Sequence, residues 1–255
     1  MLVEQNFVFI LVRPNFLGNI GSVARVMKNF GFSQLRLVSP PKNFLDSEAR
    51  RMALDAFDVL KKARVSDDLP AALDDITVAI GSSSGQYRRH ISQNLSDLTA
   101  QLFNGQSEDR QGLLADENRI ALIFGDERNG MTNEEIDRCH KLMRIESQPQ
   151  FPSLNLAQAL GIVAYKLSMH IGSPDNMSRA QGEPTLLRMT GQEEDQLMER
   201  VVSLMDKVEF SKSFSRTKVA TELRSTLQRL DLSQREGLLW QGLISKILAK
   251  LPPAE

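Results

Sequence analysis

The sequence predicts an α/β protein built on a mostly parallel sheet, followed by a small all-α region. Three observations carry this. Apolar runs of strand length alternate with stretches of helical periodicity as far as Ile171. The segment GSPDNMSRAQGEP (172–184) is polar, with glycine and proline near both ends, and reads as a linker. Beyond it no strand pattern recurs. The expected organisation is a sheet domain over residues 1–172, a linker over 173–189 and a helical domain over 190–255.

Taken in order, FVFILV (7–12) is a continuous apolar run of the kind a strand shows when both faces are buried. A turn containing Pro14 and Gly18 follows. Over 20–30, Ile20, Val23, Ala24, Met27 and Phe30 share one helical face, and Gly31 stands where a helix-ending glycine belongs. Further strands are expected at 35–38, 76–80, 120–124 and 142–145. Helical stretches are expected at 47–60, 93–103 and 154–171. A shorter helix opens at Thr132, where T-N-E-E offers a capping box with Glu135. In the C-terminal region Thr190 and Ser233 open two more boxes, with Glu193 and Glu236 three residues on. Apolar residues there recur at helical spacing over 197–208, 219–230 and 238–248.

Composition narrows the function classes. The chain has 255 residues, 41% hydrophobic and 25% charged, with a formal net charge of −1. These are values of an ordinary globular protein. No apolar run approaches the roughly 20 residues needed to span a bilayer. No basic segment with an apolar stretch opens the chain, so a cytoplasmic location is expected. Cys139 is the only cysteine, which rules out an internal disulfide framework.

Several motif readings fail on the residues. GDERNGMT (125–132) has the two-glycine spacing of a phosphate-binding loop, but Met131 stands where the lysine is needed. No G-x-G-x-x-G follows the first strand. His90, His140 and His170 lack partners at metal-ligand spacing, so no metal is expected. Cys139 and His140 are adjacent, and neighbouring helical positions point about 100° apart, which does not make a nucleophile–base pair.

Three other segments remain, each where a strand hands over to a helix: GNIGSVAR (18–25), IFGDERNGM (123–131) and PSLNLAQAL (152–160). Ligands of open α/β sheets bind outside the carboxyl ends of the strands. Three such ends carrying small and hydrogen-bonding residues point to one composite site.

Together the three segments resemble the sequence motifs of the SpoU branch of the SPOUT RNA ribose methyltransferases. Asn19 and Arg25 match the first motif, Gly125 and Glu127 with Gly130 the second, and Ser153, Leu154 and Asn155 the third. The resemblance covers residues 5–171. The stretch 124–135 and the C-terminal position of the helical extension make the chain most similar to TrmJ-type tRNA enzymes. Two departures stand out: GQYRR (85–89) differs from the more basic stretch of those relatives, and Pro152 occupies a place where serine is common.

The resemblance implies a trefoil knot near the C-terminal end of the sheet, a rare exception to unknotted topology. It implies a homodimer with the site near the interface, and S-adenosyl-L-methionine held by the knotted loops. Carried over by position, cofactor contacts fall to Ser82, Ser83, Ser84, Gly125, Ile145, Ser153 and Leu154. The implied reaction is methylation of a ribose 2′-hydroxyl in tRNA, at a pyrimidine opening the anticodon loop, with rRNA as the alternative target and a non-catalytic RNA-binding paralogue as another. A guanidinium stays protonated in proteins, so Arg25 suits gripping phosphate or stabilising a developing alkoxide better than acting as base. Ser153 would orient the hydroxyl or relay its proton. Asn19 and Asn155 would fix loop geometry, and Glu127 would hold Arg25 or a backbone amide.

Arg128 and the basic C-terminal run that includes Lys212, Arg216 and Lys218 are the RNA-contact candidates. The helical domain serves either RNA binding or support of the dimer.

Overall fold

The computed structural model of the chain describes residues 3–83, 92–103, 118–171, 187–210 and 215–251. Seven strands form its centre: β1 (Phe7–Val12), β2 (Leu35–Val38), β3 (Arg64–Ser66), β4 (Val78–Ser82), β5 (Ser92–Asn94), β6 (Ile120–Phe124) and β7 (Lys141–Arg144). They lie in one sheet in the order β3-β2-β1-β6-β4-β7-β5. Every pairing between them is parallel, so the expectation of a mostly parallel sheet is met in full.

The apolar run of β1 explains its place near the middle. Phe7, Phe9 and Leu11 face one core, and Val8, Ile10 and Val12 face another. All six are fully buried, which only a strand covered on both faces achieves. The first core is closed by α1 (Leu17–Asn29), α2 (Ser47–Ala53), α3 (Phe57–Lys61), α5 (Leu95–Phe103) and α7 (Leu156–Ser168). The second is closed by the single turns α4 (Leu69–Ala72) and α6 (Asn133–Ile136).

Four elements differ from the sequence reading. Helix α1 starts at Leu17 rather than Ile20, so Gly18 and Asn19 belong to its first turn instead of a loop before it. The helix expected over 47–60 breaks at Leu54, whose φ is +51°. The edge strands β3 and β5 were not expected, because they are three residues long, mostly polar and largely unburied. An edge strand has little apolar surface to announce it. Gly31 ends α1 with φ +83°, as its position predicts.

The C-terminal helices are α8 (Gly191–Lys207), α9 (Arg216–Leu230) and α10 (Gln234–Lys250). Both expected capping boxes close, Thr190 with Glu193 and Ser233 with Glu236. Met189, Leu197 and Ile244 form a small separate core. Residues 187–189, inside the expected linker, already take part in this packing: Leu187 accepts from Gln234 N–H at 2.7 Å, and Met189 is buried. The bundle rests on the α4 side of the sheet. Gly191 N–H donates to the Ile76 carbonyl at 2.8 Å. Arg138 and Arg224 both donate to Asp195 at 2.6 Å. Among the described residues, no helix is long and apolar enough to cross a membrane.

At the opposite end of the strands from the motif loops, Asp75 joins two of them. Buried Arg36 of β2 donates to its carboxylate at 2.5 and 2.9 Å, and Arg119, just ahead of β6, donates to the same group. Burial pushes the Asp75 carboxyl upward, but the two guanidiniums outweigh it and hold the group well below the usual carboxylate range. A depressed folded pKa stabilises above the unfolded value, about 3.9, and that contribution is lost as pH falls below it. Asp75→Asn should cost about 1–3 kcal/mol at neutral pH by leaving Arg36 underpaired. It should also flatten the acid limb of stability below about pH 4. Denaturant unfolding of both proteins across that range checks this.

Candidate active site

The three motif segments meet at the carboxyl ends of β1, β6 and β7, and a chain of hydrogen bonds joins them. Asn155 Nδ2 donates to Asn19 Oδ1 at 3.0 Å, and Asn19 Nδ2 donates to Glu127 Oε1 at 3.1 Å. Glu127 also accepts from the backbone N–H groups of Asn15, at 2.8 Å, and Phe16, at 3.3 Å. Phe16 is the N-cap of α1 and has no capping side chain of its own. A carboxylate from the β6 loop therefore caps α1, where unsatisfied amides and the helix dipole favour negative charge. Of the two partners foreseen for Glu127, the backbone amide is the one present.

Asp126 and Glu135 add to the clamp. Asp126 Oδ1 accepts from the backbone N–H groups of Arg128 and Asn129, at 2.8 and 2.7 Å, while its other oxygen accepts from the Asn15 amide. Burial raises its carboxyl pKa, but those donors, with nearby Arg13, bring it below the ordinary value. Arg13 pairs with Glu135 and reaches the Gly130 carbonyl at 3.3 Å. Sequence reasoning missed Arg13 and Asn15. The signal available was the polar pair flanking Pro14 directly after a buried strand.

Gly125 is required by close approach. A Cβ there would lie 2.3 Å from the Gly130 carbonyl carbon and 2.4 Å from Met131 N. The loop is pinched by reciprocal backbone hydrogen bonds between Asp126 and Gly130, at 3.2 and 2.8 Å.

Helix α7 begins at Asn155, which caps it: Oδ1 accepts from Ala157 N–H at 2.9 Å and Gln158 N–H at 3.4 Å. Ser153, two residues earlier, is not the cap. Its side chain is exposed.

A half-open cavity of about 210 Å³ lies among the ends of β4, β6 and β7 and the segment leading into α7. Ser82, Ser83, Gly125, Ile145, Ser153 and Leu154 line it, joined by Met131 and Met143. Ser84 lies outside the described residues. An outer cleft adjoins the cavity and shares Glu127, Ser153 and Leu154 with it, adding Asn19 and Asn155. The lining suits an adenosine-like group, with apolar side chains for a flat ring and hydroxyls and backbone for its polar edge.

Arg25 is not in the lining of either space. It sits exposed on α1, one turn beyond Ser22 of the outer cleft, with no ion pair among the described residues. Arg128 is exposed with its guanidinium 5.7 Å from the Phe16 ring centroid. Arg216 is paired with Asp206 at 2.8 Å, whereas Lys218 is exposed. Lys212 and residues 85–89 lie outside the described residues. Cys139 is 1% exposed, and burial, with Asp137 nearby, pushes its thiol up to about 12. No nucleophile is available there. His140 Nδ1 accepts from Ala79 N–H at 3.0 Å and its Nε2 lies 2.8 Å from Glu194, a joint between sheet and bundle.

The architecture is that of a class of α/β methylases. TrmJ from Z. mobilis ZM4 superposes with a TM-score of 0.77 at 24% identity, covering 94% of this chain and 98% of that one. A probable methylase family protein from Haemophilus influenzae gives 0.62 at 27% identity, covering 97% and 98%. Within that class the chain belongs to the SpoU rRNA methylase family, whose model matches residues 6–165. The tRNA (cytidine/uridine-2′-O-)-methyltransferase TrmJ of Salmonella typhimurium is 30% identical over 97% of this chain and 96% of its own. An uncharacterized tRNA/rRNA methyltransferase of H. influenzae is 37% identical over 65% of this chain and 64% of its own.

Two substitutions separate helix capping from loop bridging at Asn155. Asn155→Ala loses the cap and the bridge together and should cost about 2 kcal/mol. Asn155→Asp keeps the acceptor for α7 but sets an oxygen against Asn19 Oδ1, and should cost about 1 kcal/mol for the lost bridge. Denaturant unfolding of both reads the difference; an aspartate variant as stable as the parent would mean that the bridge contributes nothing.

Proposed function

We propose that this chain transfers the methyl group of S-adenosyl-L-methionine to a ribose 2′-hydroxyl of tRNA. The observation that carries the reading is that Ser153 lines both spaces. The inner cavity has the size and lining for the cofactor's nucleoside, and the outer cleft is open to a large substrate. The relatives named tRNA (cytidine/uridine-2′-O-)-methyltransferase, aligned over 97% of the chain, support tRNA as substrate. A pyrimidine at the start of the anticodon loop is the target implied. Ribosomal RNA is the second reading, favoured by the description of the family model.

The bound cofactor supplies an activated methyl on a sulfonium. What remains for the protein is alignment and management of one proton. Ser82, Ser83, Gly125, Ile145, Ser153 and Leu154 would hold the cofactor. Ser153, at the junction, would orient the ribose hydroxyl and relay its proton to the substrate phosphate or to water. Asn19, Glu127 and Asn155 act through position, keeping the junction in register by the bonds described above. Arg25 would contact the substrate phosphate or the developing alkoxide.

Domain roles extend the proposal. The sheet domain over 1–172 would carry catalysis, with its strands after β4 forming the trefoil knot. The insertion of β4 between β6 and β7 supports that reading. The helices after residue 190 would contact RNA or support a dimer. Exposed Lys218 favours the first role, and exposed Arg128 would add an RNA contact from the sheet domain. Ile162 and Tyr165 on α7 and Met169 at its C-cap, exposed at helical spacing, offer an apolar surface for a homodimer. The cytoplasm, where tRNA is modified, would be its compartment.

Methyl transfer from labelled S-adenosyl-L-methionine to bulk tRNA and rRNA, with nuclease mapping of the product, tests the function. Label at an alkali-resistant ribose linkage in tRNA is expected. Arg25→Ala should lower transfer by at least about a hundredfold while leaving cofactor affinity within about twofold, the signature of a transition-state contact. Equal loss of both would overturn the role given to Arg25.

A further inference from the structure

The outer cleft, of about 770 Å³, has a lining that the reaction itself does not require. Its walls carry two exposed aromatic rings, Phe16 from the start of α1 and Phe151 from the segment before α7. Phe151 is 78% exposed and Phe16 47%. A phenylalanine left so open to water beside a proposed reaction site is the informative case among exposed apolar residues.

Neither ring hangs on loose chain. Phe151 N–H donates to the Gln148 carbonyl at 2.9 Å, closing a turn, and Ser147 Oγ donates to the Pro152 carbonyl at 3.2 Å. Phe16 is fixed through its backbone to Glu127 at 3.3 Å, with the Arg128 guanidinium near its ring. Glu48 and Gln158 also line the cleft, and their side chains make no hydrogen bonds to the described residues. The cleft thus offers flat apolar faces, a nearby cation and polar groups with spare capacity.

We infer that this cleft is a base subsite: it takes the unstacked pyrimidine of the nucleotide whose ribose meets Ser153, with the base stacked on Phe151. The inference rests on the proposed ribose methylation and adds to it where the base goes and what holds it. Sequence-tolerant stacking on aromatic side chains is how proteins hold splayed RNA bases. The shared Ser153 sets the distance, because a ribose at the junction leaves its base one sugar-length out, in the cleft. The Gln158 amide both donates and accepts, so it can meet the edge of cytosine or of uracil. Glu48 only accepts when ionised and suits the amino group of cytosine.

The test uses the full chain with Phe151→Ala, Phe151→Leu and Phe151→Tyr. Transfer kinetics are measured against tRNA, with oligomeric state followed by light scattering. Losing one stacked base should raise the KM for RNA at least about fivefold in the alanine variant. Tyrosine should restore it and leucine should not, with the KM for S-adenosyl-L-methionine and the oligomeric state unchanged. Rescue by leucine, a shift in oligomeric state or an unchanged RNA KM would overturn the inference, the second of these assigning Phe151 to a contact with another copy of the chain. A second readout does not depend on activity: an anticodon stem-loop RNA carrying 5-iodouridine is photo-crosslinked to the parent chain and the adduct mapped. Adducts at Phe151 or Phe16 are expected, and adducts confined elsewhere, or none, would overturn the subsite. Absence of transfer by the parent chain, with adducts at Phe151, would count against the proposed reaction while leaving the base subsite standing.

Discussion

Everything at the carboxyl end of this sheet depends on one carboxylate. Glu127 leaves β6 and caps α1 from outside, accepting two backbone amides and the Asn19 side chain. Asn19 passes the connection to Asn155, which caps α7 with its other end. Three loops far apart in sequence are thereby held as one surface. The cost of leaving helix-end amides unsatisfied makes this arrangement stable without any ligand. The outer cleft, with walls from α1, the β6 loop and the start of α7, keeps its shape only if those three move together.

That same economy sorts the charged residues. Asp126, Glu127 and Glu135 are consumed in fixing the β1 and β6 loops, with Arg13 as the cationic partner. None is left over to act as a free base. Among the described residues, the side chains still open to a substrate are Ser153 at the junction, Glu48 and Gln158 on the wall of the outer cleft, and, on the exposed faces, Arg25 and Arg128. The chemistry therefore falls to alignment and electrostatics rather than to a carboxylate proton shuttle, which is what transfer from an already activated methyl donor asks for. The helical bundle is tied to the other face by Asp195 between Arg138 and Arg224, and by His140 between Ala79 and Glu194.

Much of this was legible in the sequence where the physics is local. The run 7–12 declared a doubly buried strand, Gly31 a helix end, and Thr132, Thr190 and Ser233 their capping boxes. The six described residues that the family resemblance implies for the cofactor line one cavity, a grouping that local patterning alone did not name. What was not legible depended on distant partners. Asn19 was expected to fix loop geometry, yet the partners through which it does so, Glu127 and Asn155, lie over a hundred positions away in either case. Arg13 gave no periodic signal, since its partner lies in α6. The strands β3 and β5 were hidden because edge strands of three mostly polar residues bury too little to shape the sequence. The basic C-terminal run read as an open patch, but Arg216 and Arg224 are paired within the bundle.

The most direct test of the central claim is a crystal structure of the chain with S-adenosylhomocysteine. The account predicts the adenosine between Ser82–Ser83 and Ser153–Leu154, the sulfur turned toward the outer cleft, and the Glu127–Asn19–Asn155 bonds intact. Adenosine bound elsewhere, or a site that forms only after those bonds are broken, would contradict it.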